Sequence, residues 1–282
     1  MIQYQKILCP IDFSQYSRHA LGYAVTIAQR GDRRKLTLMH AIELDNILVA
    51  DDFTSFFGGQ LFSPTHVEKE FSEAFDRFLR ENLPPDFKVD HIIEKGRAHK
   101  QIVKVAERDD FQLILLSSHG RSGISHFLLG STTERVIRSA PCPVLTVKEF
   151  HGKWDINHVL FPTTGSALCY HVFPYALDVA YRFNAKLTLL HTIFDSGPRF
   201  TDRIFPTHHF NLDSLRDDQV EQVTVYAETA ADGILHYSRV NSVDLIIMPS
   251  KLARGHHLGR TTDAVLVGSE CPVLTVNPPR NN

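Results

Sequence analysis

The string CPVLTV stands at Cys142–Val147 and again at Cys271–Val276, 129 residues later. Three more matches accompany it. LTLMHA at Leu36–Ala41 recurs as LTLLHT at Leu187–Thr192, 151 residues on, and the opening KILCPIDFS recurs as HVLFPTTGS, which lays Pro10 on Pro162, 152 residues on. LILLSS at Leu113–Ser118 falls on LIIMPS at Leu245–Ser250, 132 residues on. A chain written twice must fold as two similar units. The falling offsets locate the differences: about 19 residues are lost between the second and fourth apolar runs, and three more in the segment before the last. A length of 282 residues with 43% apolar and 22% charged residues supports two cores of ordinary size.

Each copy reads as strands alternating with helices. In the first, Lys6–Ile11 is a short apolar run bounded by Asp12 and Ser14, which suits a buried parallel strand. Ser14 is a candidate N-cap for a helix that places Leu21, Ala24, Val25 and Ala28 on one face. Strands are expected at Leu36–Ala41, Lys88–Glu94, Gln112–Leu116 and Val144–Val147. Between them, helices carry Val67, Phe71, Ala74, Phe75 and Phe78, then Ile102, Val105 and Ala106, then residues from about Ser131 to Ser139. The segment 45–60 lacks a clear period and reads as a long loop, with Phe56, Phe57 and Phe62 placed to cover a crevice, meet a partner or pack on the domain itself. In the second copy strands are expected at Asn157–Phe161, Lys186–His191, Val220–Ala227, Asp244–Met248 and Val273–Val276, while residues 198–214 read as loop. The fold class is therefore α/β: two tandem open parallel five-stranded sheets with helices on both faces, as domains 1–150 and 151–282.

The stretch Ser117–Val147, SSHGRSGISHFLLGSTTERVIRSAPCPVLTV, carries the chemistry. A glycine-bearing loop between a buried strand and a helix N-terminus exposes N–H groups without intrahelical partners, and the macrodipole adds partial positive charge there. Such a place holds phosphate.

These residues resemble the universal stress protein family in its tandem two-domain form. The likeness rests on ILCPID, the strand ending LMHA, Leu116-Ser117-Ser118-His119-Gly120, nine residues, Gly130-Ser131, and APCPVLTV, and it covers nearly the whole chain. The family's nucleotide signature is glycine, two residues, glycine, nine residues, glycine, then serine or threonine. Ser117, Gly120, Gly130 and Ser131 occupy those places, and Ser117 departs from the pattern. The resemblance implies an internal pseudo-dimer joined through the two CPVLTV strands. It also implies ATP, ADP or AMP, with or without Mg²⁺, as the ligand of the first unit. Asp12 would accept the ribose hydroxyls, and Pro10, Ile11, Ala41 and Leu116 would line the adenine slot. Gly120, Gly130, Ser131, Thr132 and Thr133 would hold the phosphates. If position 117 needed a left-handed backbone or near contact with the nucleotide, its side chain would cost on the order of 1 kcal/mol, about a tenfold weakening; alternatively its hydroxyl would hydrogen-bond a phosphate.

The second copy departs further, with Thr164 in place of Asp12, Leu252 in place of Gly120 and Gly259-Arg260 in place of Gly130-Ser131. No equivalent ATP site is expected there. Its cations Lys251, Arg254, His256, His257 and Arg260 read as a solvated loop or an anion site.

Other readings are weaker. A nucleophile elbow and a Walker A lysine are both missing, and His119 beside Ser117 and Ser118 is poor evidence of catalytic geometry, so no enzymatic turnover beyond slow ATP hydrolysis is expected. His208-His209 and His256-His257 are adjacent pairs whose side chains do not converge as a metal pair on a helix would, and His40 and His191 end equivalent strands as structural histidines. The four cysteines form no CxxC and read as free thiols of a reducing cytoplasm. A formal charge of −2 advertises no nucleic-acid partner, no run reaches the ~18 apolar residues of a membrane span, and MIQYQKILCPID does not read as a secretory signal. Two functions stay open: a cytosolic stress-response protein whose first unit binds an adenine nucleotide, and a nucleotide-independent scaffold with vestigial sites. Protein partners and a homodimer are left undecided by the sequence.

Overall fold

A computed structural model describes residues 4–30, 35–43, 64–118, 129–193, 216, 219–250 and 258–278. Phe56, Phe57, Phe62, His119, Gly120, Gly123, the run 198–214 and the cluster 251–257 lie outside the described residues.

Runs too short for helices become strands, and the inner ones are apolar and largely buried. In the first unit these are β1 (Lys6–Pro10), β2 (Lys35–Ile42), β3 (Asp90–Lys95), β4 (Leu113–Ser117) and β5 (Val144–Val147). In the second they are β6 (His158–Pro162), β7 (Lys186–Ile193), β8 (Val220–Tyr226), β9 (Leu245–Pro249) and β10 (Val273–Val276). Only β3 and β8 show intermediate and exposed residues throughout, and they are the two edges. Between strands run α1 (Gln15–Gln29), α2 (Pro64–Asn82), α3 (Ala98–Arg108) and α4 (Ser131–Ser139), then α5 (Ala167–Phe183), α6 (Ala230–Val240) and α7 (Arg260–Gly268). Ser14 caps α1 as expected, its hydroxyl accepting the Ser17 N–H at 3.2 Å. The strand limits read from sequence shift by one or two residues; β1, for instance, ends at Pro10 rather than Ile11.

The two five-stranded sheets are one ten-stranded sheet, ordered β3-β2-β1-β4-β5-β10-β9-β6-β7-β8. Every pairing is parallel except β5 with β10, where Val273, Leu274 and Thr275 run antiparallel to Thr146, Leu145 and Val144. The CPVLTV repeats thus pair with each other, closing two edges that would otherwise be open templates. One apolar cluster gathers α1, α2 and α5 against one face of the sheet, and the other gathers α3, α4, α6 and α7 against the opposite face. Each cluster draws residues from both units, so the core is continuous across the β5–β10 seam.

A reciprocal pair of caps fastens that seam. Asn277, just after β10, donates from Nδ2 to the carbonyls of Ile137 and Ala140 at the end of α4, at 2.9 Å each. Lys148, just after β5, donates from Nζ to the carbonyl of Val267 at the end of α7, at 2.6 Å. Each unit thereby satisfies C-terminal carbonyls that the other unit's last helix leaves without intrahelical partners.

Candidate functional site

Strand order in each unit reverses beside its first strand: β2 lies on one side of β1 and β4 on the other. Crevices for ligands in open α/β sheets form beyond the carboxyl ends of the strands at such a switch.

At this end of the first unit, Pro10 closes β1 in register with Met39, and the buried Ile11 continues alongside β2 by donating its N–H to the Met39 carbonyl at 2.8 Å. Asp12 follows, half-buried, and its Oδ1 accepts the Ser14 N–H at 3.0 Å. Phe13 then turns the chain into α1 with a left-handed φ of 64°. Ala41 lies near the end of β2, half-buried, and Leu116 is buried near the end of β4. Ser117 ends β4 in register with Val147. Its backbone is not among those with positive φ, so the left-handed part of the cost anticipated from sequence does not arise.

The phosphate-type element is the start of α4. Gly130 is its N-cap without a side-chain cap, and its own N–H donates to the Ser118 carbonyl at 2.9 Å, folding the loop's end back onto the strand. Ser131 is exposed and Thr132 half-buried. Thr133 is different: it is only 5% exposed, and its hydroxyl donates to the Ser117 carbonyl at 2.8 Å. That hydroxyl fastens helix to strand, leaving only the Thr133 N–H for a ligand. The site thus combines a carboxylate acceptor, an apolar floor and a helix N-terminus that favours negative charge. Cys9, deep in β1, is removed from chemistry because burial pushes its thiol up to about 12.

The second unit keeps the frame and changes the groups. Gly259 caps α7 and donates to the Ser250 carbonyl at 3.3 Å, and the Thr262 hydroxyl donates to the Pro249 carbonyl at 3.0 Å, matching Gly130 and Thr133. At the place of Asp12, however, Thr164 contacts Cys169 Sγ at 3.6 Å, and Ser166 donates to the same sulfur at 3.5 Å. Burial would raise the Cys169 thiol, but donors from Ser166, Thr164 and Thr163 outweigh it and hold the thiol below its ordinary value. A hydroxyl–thiol cluster has replaced the carboxylate. His40 and His191 each face the carbonyl one residue past the first strand, Ile11 at 2.8 Å and Thr163 at 3.2 Å, so Nδ1–H donates in both units. Among the described residues no three His, Cys, Asp or Glu side chains gather to hold a metal.

Sequence reasoning passed over Phe13. The signal was present, because the repeat aligns Phe13 with Gly165, and Gly165 has a φ of 67°. A position filled by glycine in one copy and phenylalanine in the other marks a left-handed turn that the phenylalanine must be held into.

Together these features define an α/β protein of the adenine nucleotide alpha hydrolase-like type, built from two tandem units sharing one sheet. The universal stress protein family model matches the chain twice, over residues 3–148 and 155–277, and the chain belongs to that family. A universal stress protein of Methanocaldococcus jannaschii is 34% identical over 157 residues, which span 52% of this chain and 96% of that protein. A second from the same organism is 30% identical over 146 residues, 52% of this chain and 83% of its own length. The crystal structure of a universal stress protein from Archaeoglobus fulgidus covers 100% of this chain and 99% of its own with a TM-score of 0.73 at 19% identity, a likeness of fold across both units. No helix among the described residues is long and apolar enough to cross a membrane.

Proposed function

We propose that this is a cytosolic stress-response protein that binds ATP, or ADP or AMP, in domain 1–150, the nucleotide serving as a conformational or partner-selecting ligand rather than as a substrate. Domain 151–282 is a trimmed copy without an equivalent site. The observation that carries this reading is the contrast between units on one frame. Asp12 and the Gly130-Ser131 helix start stand at the switch of the first unit, while the second has Thr164 tied to Cys169. In this assignment Asp12 takes the ribose hydroxyls, and Pro10, Ile11, Ala41 and Leu116 flank the adenine. The N–H groups of Ser131, Thr132 and Thr133, with Ser117, Gly120 and Gly130 shaping the approach, take the phosphates.

The test is to denature protein purified without added nucleotide, identify what is released by chromatography, and titrate ATP calorimetrically with and without magnesium. Asp12→Ala removes a charged acceptor worth about 1.5–3 kcal/mol per hydrogen bond, so affinity falls at least about tenfold. Thr164→Ala leaves it unchanged. No released nucleotide and no heat of binding would replace this reading with that of a nucleotide-independent scaffold.

A further inference from the structure

We infer that Phe13 is a positioning residue for Asp12, acting through an aromatic stack supplied by α2; the ligand side of this inference rests on the nucleotide reading above. Both units need a left-handed residue at this turn, and the second fills it with Gly165, which adopts that conformation freely. Phenylalanine does not, so contacts must hold it there. Its ring lies 4.6 Å from the His40 ring and meets Phe75 and Phe78 edge-on at 6.0 and 5.5 Å. His40 in turn stacks on Phe71 at 5.1 Å and donates to the Ile11 carbonyl at 2.8 Å.

The loop is therefore pinned on both sides of Asp12, at Ile11 through His40 and at Phe13 through the rings of α2. Between these pins the Asp12 carboxylate is turned by the Ser14 N–H onto Oδ1. Helix α2 contributes none of the proposed ligand contacts, yet its face of Phe71, Phe75 and Phe78 sets the direction of the group that would take the ribose hydroxyls. The chemistry recognised at this point is a vicinal diol. Loosening Phe13 should weaken ligands that carry the diol and spare those that lack it.

The experiment compares wild type, Phe13→Gly and Phe13→Tyr. Glycine keeps the turn and deletes the ring, whereas tyrosine keeps the ring. In nucleotide-free protein, exchange of the Ser14 amide is expected to quicken at least about tenfold in Phe13→Gly and to stay at the wild-type rate in Phe13→Tyr. ATP affinity should fall at least about tenfold in Phe13→Gly, with that for 2′,3′-dideoxy-ATP unchanged. A purely structural role would lower the melting temperature without moving that ratio. Unchanged Ser14 exchange overturns the inference whether or not the wild type binds nucleotide. So does quickened exchange in a protein that binds ATP with its affinity and diol preference intact. If exchange quickens but wild type binds no ATP, the positioning stands and the nucleotide reading falls. Should Phe13→Gly fail to fold, Phe13→Leu, which keeps bulk and loses ring stacking, serves the same comparison.

Discussion

Removing the Asn277 side chain tests whether the two units are held together by specific caps or by apolar contact alone. In Asn277→Ala, two hydrogen bonds of 2.9 Å to the Ile137 and Ala140 carbonyls disappear. The Ser250 hydroxyl, in a residue 1% exposed, loses Asn277 Oδ1 as its acceptor. Each lost hydrogen bond is worth about 0.5–1.5 kcal/mol, and stranding a buried polar group adds about 1–3 kcal/mol. These terms overlap, so the expected loss is about 2–4 kcal/mol, or about 3–7 °C in melting temperature for a chain of this size. Asn277→Asp separates the contributions. It keeps an acceptor for Ser250 but loses the donor and sets a negative charge against the C-terminal end of the α4 dipole, so it should be at least as destabilising as alanine. Urea unfolding and calorimetry give both numbers. An alanine variant within 1 °C of wild type, or an aspartate variant as stable as wild type, would refute the argument that the seam depends on this cap.

Two further outcomes follow from packing and titration. A Cβ on Gly22 would lie 2.3 Å from the Phe150 ring, so Gly22→Ala should destabilise by about 1–3 kcal/mol despite better helix propensity. Combined with Phe150→Ala, the same change should become neutral or stabilising in a double-mutant cycle. Burial in the Thr188–Glu221–Tyr237 cluster holds the His158 imidazole below its ordinary 6.5. The unfolded chain therefore binds a proton near pH 6.5 that the folded chain does not. Stability should fall as pH drops from 6.5 toward the lower folded value and level off beneath it. His158→Gln, compared with wild type in urea at pH 7.5 and 5.5, should reduce that decline.

Much of this was legible in the letters. The repeat gave two units, and the buried strand runs and the faces of α1, α2 and α3 followed from period. Val144–Val147 and Val273–Val276 were read to the residue, and the helix expected from about Ser131 to Ser139 lies there. The frame of the site followed as well, because Asp12, Gly130 and Ser131 sit at element ends that local pattern marks. Period reports which residues are buried, but not what a buried hydroxyl bonds to. The engagement of the Thr133 hydroxyl with the Ser117 carbonyl was therefore not foreseen, and it narrows the phosphate role proposed for Thr133 to its N–H. Nor does period report a backbone angle, so Ser117 carried an anticipated left-handed penalty that its place in a regular strand removes.

By itself, then, the sequence determined the duplication, the alternation of strand and helix, and the loss of the carboxylate from the second copy, all properties of local composition and order. Pairing of the two CPVLTV strands was already implied by the family resemblance, whereas only the tertiary structure decided that Asn277 and Lys148 each cap the other unit's last helix. It also decided that Phe13 is held in a left-handed turn by the rings of Phe75 and Phe78, 62 and 65 residues further on. Those are contacts between segments far apart in the chain, and their energy exists only once the chain brings them together.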